Sequence, residues 1–271
     1  MVRGSHKAVV KALIWARIAW LALLAYRNPM RSAAVLRRMM NERARVRRWK
    51  TRKYARVGGR YFWHLYAPGW PSGAFDRYVE RELDRVDSFA GSSRALQSAV
   101  FAMTSRCSYR CEHCFEWDAL GPVEALSLVE ALQVVELIRS RGASQIFFSG
   151  GEPLLRFDDL LELVHTAAFE TDVWILTSGV GLTSARARTL RDAGLTGVAL
   201  SLDHWNPEEH DRFRGVKGAH SWVERASTHA REAGLVVALS LCPTREFVSR
   251  ENLDRYATIA TQLGASFIQL L

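Results

Sequence analysis

The sequence predicts an α/β protein built on a parallel sheet, with a basic helical region ahead of it. Two observations predict this. From residue 97 onward, short apolar runs alternate with amphipathic stretches of helical period, and the helical stretches close on Gly142, Gly194, Gly234 and Gly264. Charge also divides the chain: residues 1–60 hold 17 Lys/Arg and one acid, Glu42, whereas residues 61–271 hold 20 Lys/Arg and 27 Asp/Glu. The formal net charge of +9 therefore belongs to the first sixty residues. With 48% hydrophobic and 24% charged residues, the chain can bury a sizeable core.

The N-terminal elements come first. Residues 8–26, "AVVKALIWARIAWLALLAY", follow a helical pattern that stops before Asn28-Pro29. Lys11 and Arg17 interrupt it, and its longest uncharged stretch, 18–26, falls short of the ~20 apolar residues that a bilayer span needs. Lys7, Lys11 and Arg17 share an arc of about 120° in helical projection, which leaves Leu13, Trp20, Leu21 and Leu24 on the apolar remainder. That pattern suits a helix lying in a membrane interface through residues 1–56, with the Arg-rich stretch behind it drawn to anionic headgroups. It equally suits a helix packed against the protein. The Arg-rich stretch is expected to be helical over 30–57 and to stop at Gly58-Gly59. An aromatic connector, "YFWHLYAPGWPSGAF", then leads to a third helical stretch over 75–87 and the turn "AGSS". These readings divide the chain into a basic amphipathic region over 1–60, a connector and helix over 61–96, and a core over 97–271.

In the core, strands are predicted over 98–103, 145–148, 173–177, 197–202, 236–241 and 267–271. Helices are predicted around 124–141, 157–169, 184–193, 221–233 and 251–263. Strand then helix, repeated, implies parallel strands joined by right-handed crossovers. Six strands and five intervening helices satisfy a partial barrel or a doubly wound sheet. In both, chemistry collects at the C-terminal ends of the strands. The sequence stops at "GASFIQLL", so the core is expected to end within its sixth strand.

One such strand end carries "CSYRCEHC", three of the four cysteines within eight residues. No small-residue cleavage site follows the first apolar run, so a secreted disulfide framework is not indicated, and reduced, metal-binding thiolates in the cytoplasm are expected. Three thiolates from one loop can hold three irons of a cubic cluster and leave the fourth open. A structural zinc would want four ligands. His113 adjoins Cys114 and is poorly placed for the same metal, and Cys242 is the remaining thiol. Cys242 closes the fifth strand and is expected to behave as a small buried hydrophobe.

The cysteine motif resembles the three-cysteine signature of radical S-adenosylmethionine (radical SAM) enzymes. "FFSGGEP" over 147–153 resembles that family's Gly-Gly-Glu motif, and "SLDHWNPEEHDRFRG" over 201–215 is similar to a stretch in its peptide- and cofactor-maturing branch. The resemblance covers residues 97–271. It implies a partial (β/α)6 barrel, a 4Fe–4S cluster on Cys107, Cys111 and Cys114, and S-adenosylmethionine as cofactor. It also implies cofactor contacts from Gly150, Gly151, Glu152, Ser178, Ser201, Asp203 and Arg214. Ser178 stands where related enzymes often carry Asn, and a hydroxyl offers fewer donors. His210 and Asp211 are expected to serve packing and a helix start. The implied reaction is reductive cleavage of the cofactor and hydrogen-atom abstraction from a peptide or protein, with a reductant such as flavodoxin or ferredoxin as partner. A membrane-associated lipid or small-molecule substrate, or a truncated, non-catalytic cluster-binding partner, are the alternatives. No nucleic acid is expected, since no folded reading module is apparent.

Overall fold

The computed structural model describes residues 2–46, 53–88 and 96–271. The chain divides into two compact units, one formed by residues 1–98, 138–145 and 170–172, the other by residues 99–137, 146–169 and 173–271.

The first unit is built on three helices, α1 (Gly4–Tyr26), α2 (Pro29–Val46) and α3 (Gly73–Val86), and a short antiparallel hairpin, β1 (Ala55–Val57) and β2 (Arg60–Phe62). Val10, Ile14, Ile18, Leu21, Ala22 and Tyr26 of α1 pack with Val35 and Met39 of α2 and with Phe75, Val79 and Leu83 of α3. The Tyr26 hydroxyl lies 2.8 Å from the Leu83 carbonyl and 2.7 Å from that of Asp87, which ties the end of α1 to the end of α3. Burial pushes that phenol up to about 12. Asp172 is buried in the same unit and accepts from Arg60 at 2.5 Å and from the Gly69 N–H at 2.9 Å.

Three expectations are corrected here. The helix expected over 30–57 does not reach its end: α2 is described to Val46, and residues 55–57 are a strand. Gly58-Gly59, both at positive φ, is a two-residue hairpin turn, not a helix stop. Second, α1 is a 23-residue helix, long and apolar enough to cross a membrane, so the argument from its uncharged run alone fails. Lys11 and Arg17 sit within the helix without ending its apolar character. Third, Leu21 is in the core, while Leu13, Trp20 and Leu24 face outward. The "AGSS" turn lies outside the described residues.

The second unit carries the six-stranded sheet, except for the first residues of three of its strands, Ser98, Gln145 and Asp172. Its strands are β3 (Ser98–Thr104), β4 (Gln145–Gly150), β5 (Asp172–Thr177), β6 (Leu195–Ser201), β7 (Val236–Leu241) and β8 (Phe267–Leu270), hydrogen-bonded in that order. The registered pairs β5–β6, β6–β7 and β7–β8 are parallel. Strand order follows chain order without the reversal of a doubly wound sheet, so the partial barrel is the fold. The crossovers are α4 (Leu128–Ser140), α5 (Phe157–Ala167), α6 (Ser184–Asp192), α8 (Ala219–Glu232) and α9 (Arg250–Gln262). An additional short helix, α7 (Pro207–Arg214), lies outside the five helical stretches read from the core sequence. Its signals were present: Asn206 caps it by accepting from the N–H groups of Glu208 and Glu209, and Pro207 occupies its first position.

Leu83 is fully buried where α1, α2 and α3 meet. Leu83→Ala should therefore lower stability by about 2–5 kcal/mol, read as an earlier transition in guanidinium unfolding.

Candidate active site

The C-terminal ends of the parallel strands open on a cavity of about 290 Å³. Cys107, Cys111 and Cys114, on the loop after β3, form one wall; Gly150, Gly151 and Glu152 at the end of β4, and Thr177 and Ser178 at the end of β5, form the next. Ser201 of β6, Ser240 of β7, Gln269 of β8 and Arg214 of α7 complete it. Of the residues expected to hold the cluster or contact the cofactor, only Asp203 is set back from this wall. It borders a neighbouring cavity with Glu112, His204 and Phe247, and Cys242 borders both.

The cysteine loop has little regular structure, and its neighbours hold its backbone. On one side the Gly151 N–H donates to the Thr104 carbonyl and the Glu152 N–H to the Arg106 carbonyl, each at 2.8 Å. The two glycines permit this approach. A Cβ on Gly150 would lie 2.3 Å from the Thr104 oxygen, and one on Gly151 would lie 2.2 Å from the Arg106 oxygen. The two glycines thus let this segment approach the end of β3 and the start of the cysteine loop. On the other side the Arg110 N–H donates to the Arg214 carbonyl at 3.3 Å and the Glu112 N–H to that of Phe213 at 3.0 Å. Phe213 also stacks on His113, with ring centroids 4.6 Å apart.

Two buried acids organise the walls. Glu152 accepts from the hydroxyls of Thr177 (2.6 Å) and Ser178 (2.5 Å) and from the N–H groups of Ser178 (2.8 Å) and Leu154 (3.1 Å). Burial raises its pKa, against the pull of those donors. Its two oxygens have thereby taken the four bonds a carboxylate can readily accept, and they lock β4 to β5. Asp203 pairs with Arg214 at 2.5 Å through one oxygen, and its other oxygen accepts from the Cys242 N–H at 3.0 Å.

Arg214 also reaches the Cys111 sulfur at 3.5 Å, and its Nε is buried without a partner. Burial opposes its charge, but Asp203 and Cys111 outweigh that and raise its pKa. His210 accepts from the Asp203 N–H at 3.1 Å and is pushed down to about 2, chiefly by burial, so it is neutral. Asp211 receives the N–H groups of Gly218 and His220 at the start of α8. Both residues therefore serve packing and capping, as the sequence suggested. Cys242, expected to be buried, is half-buried on the cavity wall. It is the first residue after β7, at the sheet mouth, where it borders the cavity.

Among the described residues, no three His, Cys, Asp or Glu side chains converge closely enough to hold a single metal ion. The cysteines face the cavity from one loop instead, an arrangement that suits a cluster in which each thiolate takes a different iron. The donor set also fits: three thiols, with a buried cation beside one of them.

The family profile described as Radical SAM superfamily matches residues 101–255. The chain belongs to that superfamily. The family's cofactors are a 4Fe–4S cluster and S-adenosylmethionine. Among curated relatives, the radical SAM chain is 33% identical over 170 residues to a PqqA peptide cyclase of Rhizobium meliloti, covering 62% of this chain and 44% of that one. It is 30% identical over 183 residues to a probable GTP 3',8-cyclase of Pyrobaculum aerophilum, covering 66% of this chain and 59% of that one. The chain thus spans about half the length of the relatives it matches. A crystal structure of Streptococcus suis SuiB bound to precursor peptide SuiA shares the fold at a TM-score of 0.58 and 13% identity, covering 93% of this chain and 55% of that one.

Thr177, Tyr109, Ser240 and Gln269 were not singled out in the sequence, yet all line the cavity. Ser201, Ser240 and Gln269 form one row across three strands, since Ser201 is in register with Ser240 and Ser240 with Gln269. Residues at the last inward positions of each strand would have found this row, once the register was known.

The glycine contact generates a prediction. Gly151→Ala should bind less iron than the parent after anaerobic reconstitution while keeping its far-UV circular dichroism. Parental iron content would show that the cysteine loop does not need this backbone contact.

Proposed function

We propose that this chain cleaves S-adenosylmethionine reductively at a 4Fe–4S cluster on Cys107, Cys111 and Cys114, and that a peptide or protein is the substrate. One observation carries the reading: the cysteine, Gly-Gly-Glu and strand-end motifs, far apart in sequence, border one cavity at the C-terminal mouth of a parallel sheet. When bound, the cluster and cofactor supply one-electron cleavage to a 5′-deoxyadenosyl radical that abstracts a hydrogen atom.

The chain's own residues bind and position. Arg214, held by Asp203, presents its unpartnered Nε as a charged donor to the cofactor carboxylate. Asp203 acts through Arg214. Gly150, Gly151, Ser178 and Ser201 are proposed as the remaining cofactor contacts, with Glu152 fixing Ser178. The row Ser201–Ser240–Gln269 offers uncharged hydrogen-bonding groups, which suit the amide groups of a peptide. The likeness to the PqqA peptide cyclase and to SuiB with its precursor peptide supports the same substrate class. Reduced thiols at the site suit a cytoplasmic setting.

A one-electron reductant is a required partner. Outside the cysteine loop lies a second cavity, of about 520 Å³, lined by Arg106, Arg110, Trp117 and Leu155. Cys107 borders both cavities. An acidic carrier protein docking there would stand one residue away from the cluster, and Arg106 and Arg110 would attract it.

Anaerobic reconstitution should give about four iron and four sulfide per chain, and alanine at Cys107, Cys111 or Cys114 should abolish it. With dithionite and S-adenosylmethionine the loaded protein should form 5′-deoxyadenosine, and a deuterated peptide substrate should pass deuterium into it. An intact cluster that never yields 5′-deoxyadenosine would favour a non-catalytic partner protein, and deuterium transfer from lipid alone would favour the lipid alternative.

For the reductant, Arg106→Glu with Arg110→Glu should weaken binding of an acidic flavodoxin about tenfold at low salt while leaving the dithionite-driven rate unchanged. Equal flavodoxin affinity in variant and parent would move the docking face elsewhere.

A further inference from the structure

The outward side of α1 carries no charge along most of its length. Val9, Leu13, Trp20, Leu23 and Leu24 are 40–54% exposed, and Ala12 and Ala16 lie exposed between them. At 100° per residue these side chains occupy an arc of about 120°. Val10, Ile14, Ile18, Leu21, Ala22 and Tyr26 hold the opposite side in the core of the N-terminal unit. Lys7, Lys11 and Arg17 project on or beside that buried side, and Arg17 closes a two-point ion pair with Asp76 of α3. The helix is therefore apolar on two faces, and the protein covers one. Exposed large apolar side chains are ordinarily scattered singly, and a continuous stripe of them marks a contact surface.

We propose that this stripe seats the N-terminal unit on an anionic membrane surface. Charge selects the occupant. Residues 1–60 carry 17 Lys/Arg against one acid, so a second copy of this region is repelled and an anionic bilayer attracted. A nucleic acid supplies the phosphate charge but no apolar phase for Trp20 and Leu24, whereas a bilayer supplies both. By length and composition α1 would also cross a membrane. Crossing would strip its six buried residues from α2 and α3, while lying on the surface keeps that core intact.

The test is flotation of the full-length protein with vesicles of phosphatidylcholine alone or mixed with phosphatidylglycerol, at ~0.05 and ~0.5 M salt. The protein should float with the anionic vesicles, and much less at high salt. Trp20→Glu with Leu24→Glu, at two exposed positions, should lower partitioning about tenfold or more while keeping the parental thermal midpoint. The proposal is overturned if the parent floats with neither vesicle, or if the Trp20/Leu24 variant floats like the parent. Resistance to an alkaline carbonate wash would also overturn it, by making α1 a span. Sedimentation in parallel reports the remaining occupant: a parental dimer or protein complex lost in the Trp20/Leu24 variant, without flotation, assigns the stripe to protein contact. Iron content and 5′-deoxyadenosine, read on the same samples, keep this outcome separate from the fate of the enzymatic reading.

Discussion

The loop that carries Cys107, Cys111 and Cys114 has little regular structure to give it shape, so its geometry depends on the backbones that grip it. The Gly-Gly-Glu segment after β4 approaches from one side and the end of α7 from the other, each through two backbone hydrogen bonds. The first approach is possible only where side chains are missing, because a Cβ at Gly150 or Gly151 would fall within 2.3 Å of a carbonyl oxygen. Every other feature of the cavity is arranged around this grip. It brings Phe213 against His113 and Arg214 against Cys111.

Buried charge does the rest of the positioning. Glu152 and Asp203 are both nearly inaccessible to solvent, and each is answered by protein groups at hydrogen-bonding distance. Glu152 draws in the hydroxyls and N–H groups of β5, and Asp203 holds Arg214 while steadying the end of β7 through the Cys242 N–H. A buried carboxylate left unanswered would be strongly destabilising, so these acids enforce the spacing of strand ends as well as contributing charge. His210, held neutral beneath Asp203, belongs to the same support.

The N-terminal unit follows different physics. Its three helices form a core of their own, with Tyr26 closing one end and the buried Asp172 pairing with a half-buried Arg60. Cationic residues crowd its first sixty positions, yet the outward stripe of α1 is apolar. Charge and apolar surface thus occur together on one small unit.

Much of this protein was readable from its residues because the signals were local. Strand and helix alternate with distinct periods after residue 97, glycines end the helices, and three motifs fall at strand ends; local patterns of that kind survive into the fold. The six strands and their crossover helices accordingly lie close to where the sequence puts them, and the family follows from residues 107–114, 147–153 and 201–215. What tertiary structure alone decided were choices between surfaces. Gly58-Gly59 reads as a helix stop until β1 and β2 pair across it. Thr177 and Cys242, 25 and 39 residues from the acids they answer, reach Glu152 and Asp203 only through the fold. In α1 the sequence shows an apolar helix with a cationic arc, but which face is covered depends on where α2 and α3 pack. Periodicity records that a face is apolar; only the long-range contacts of the folded chain determine what it meets.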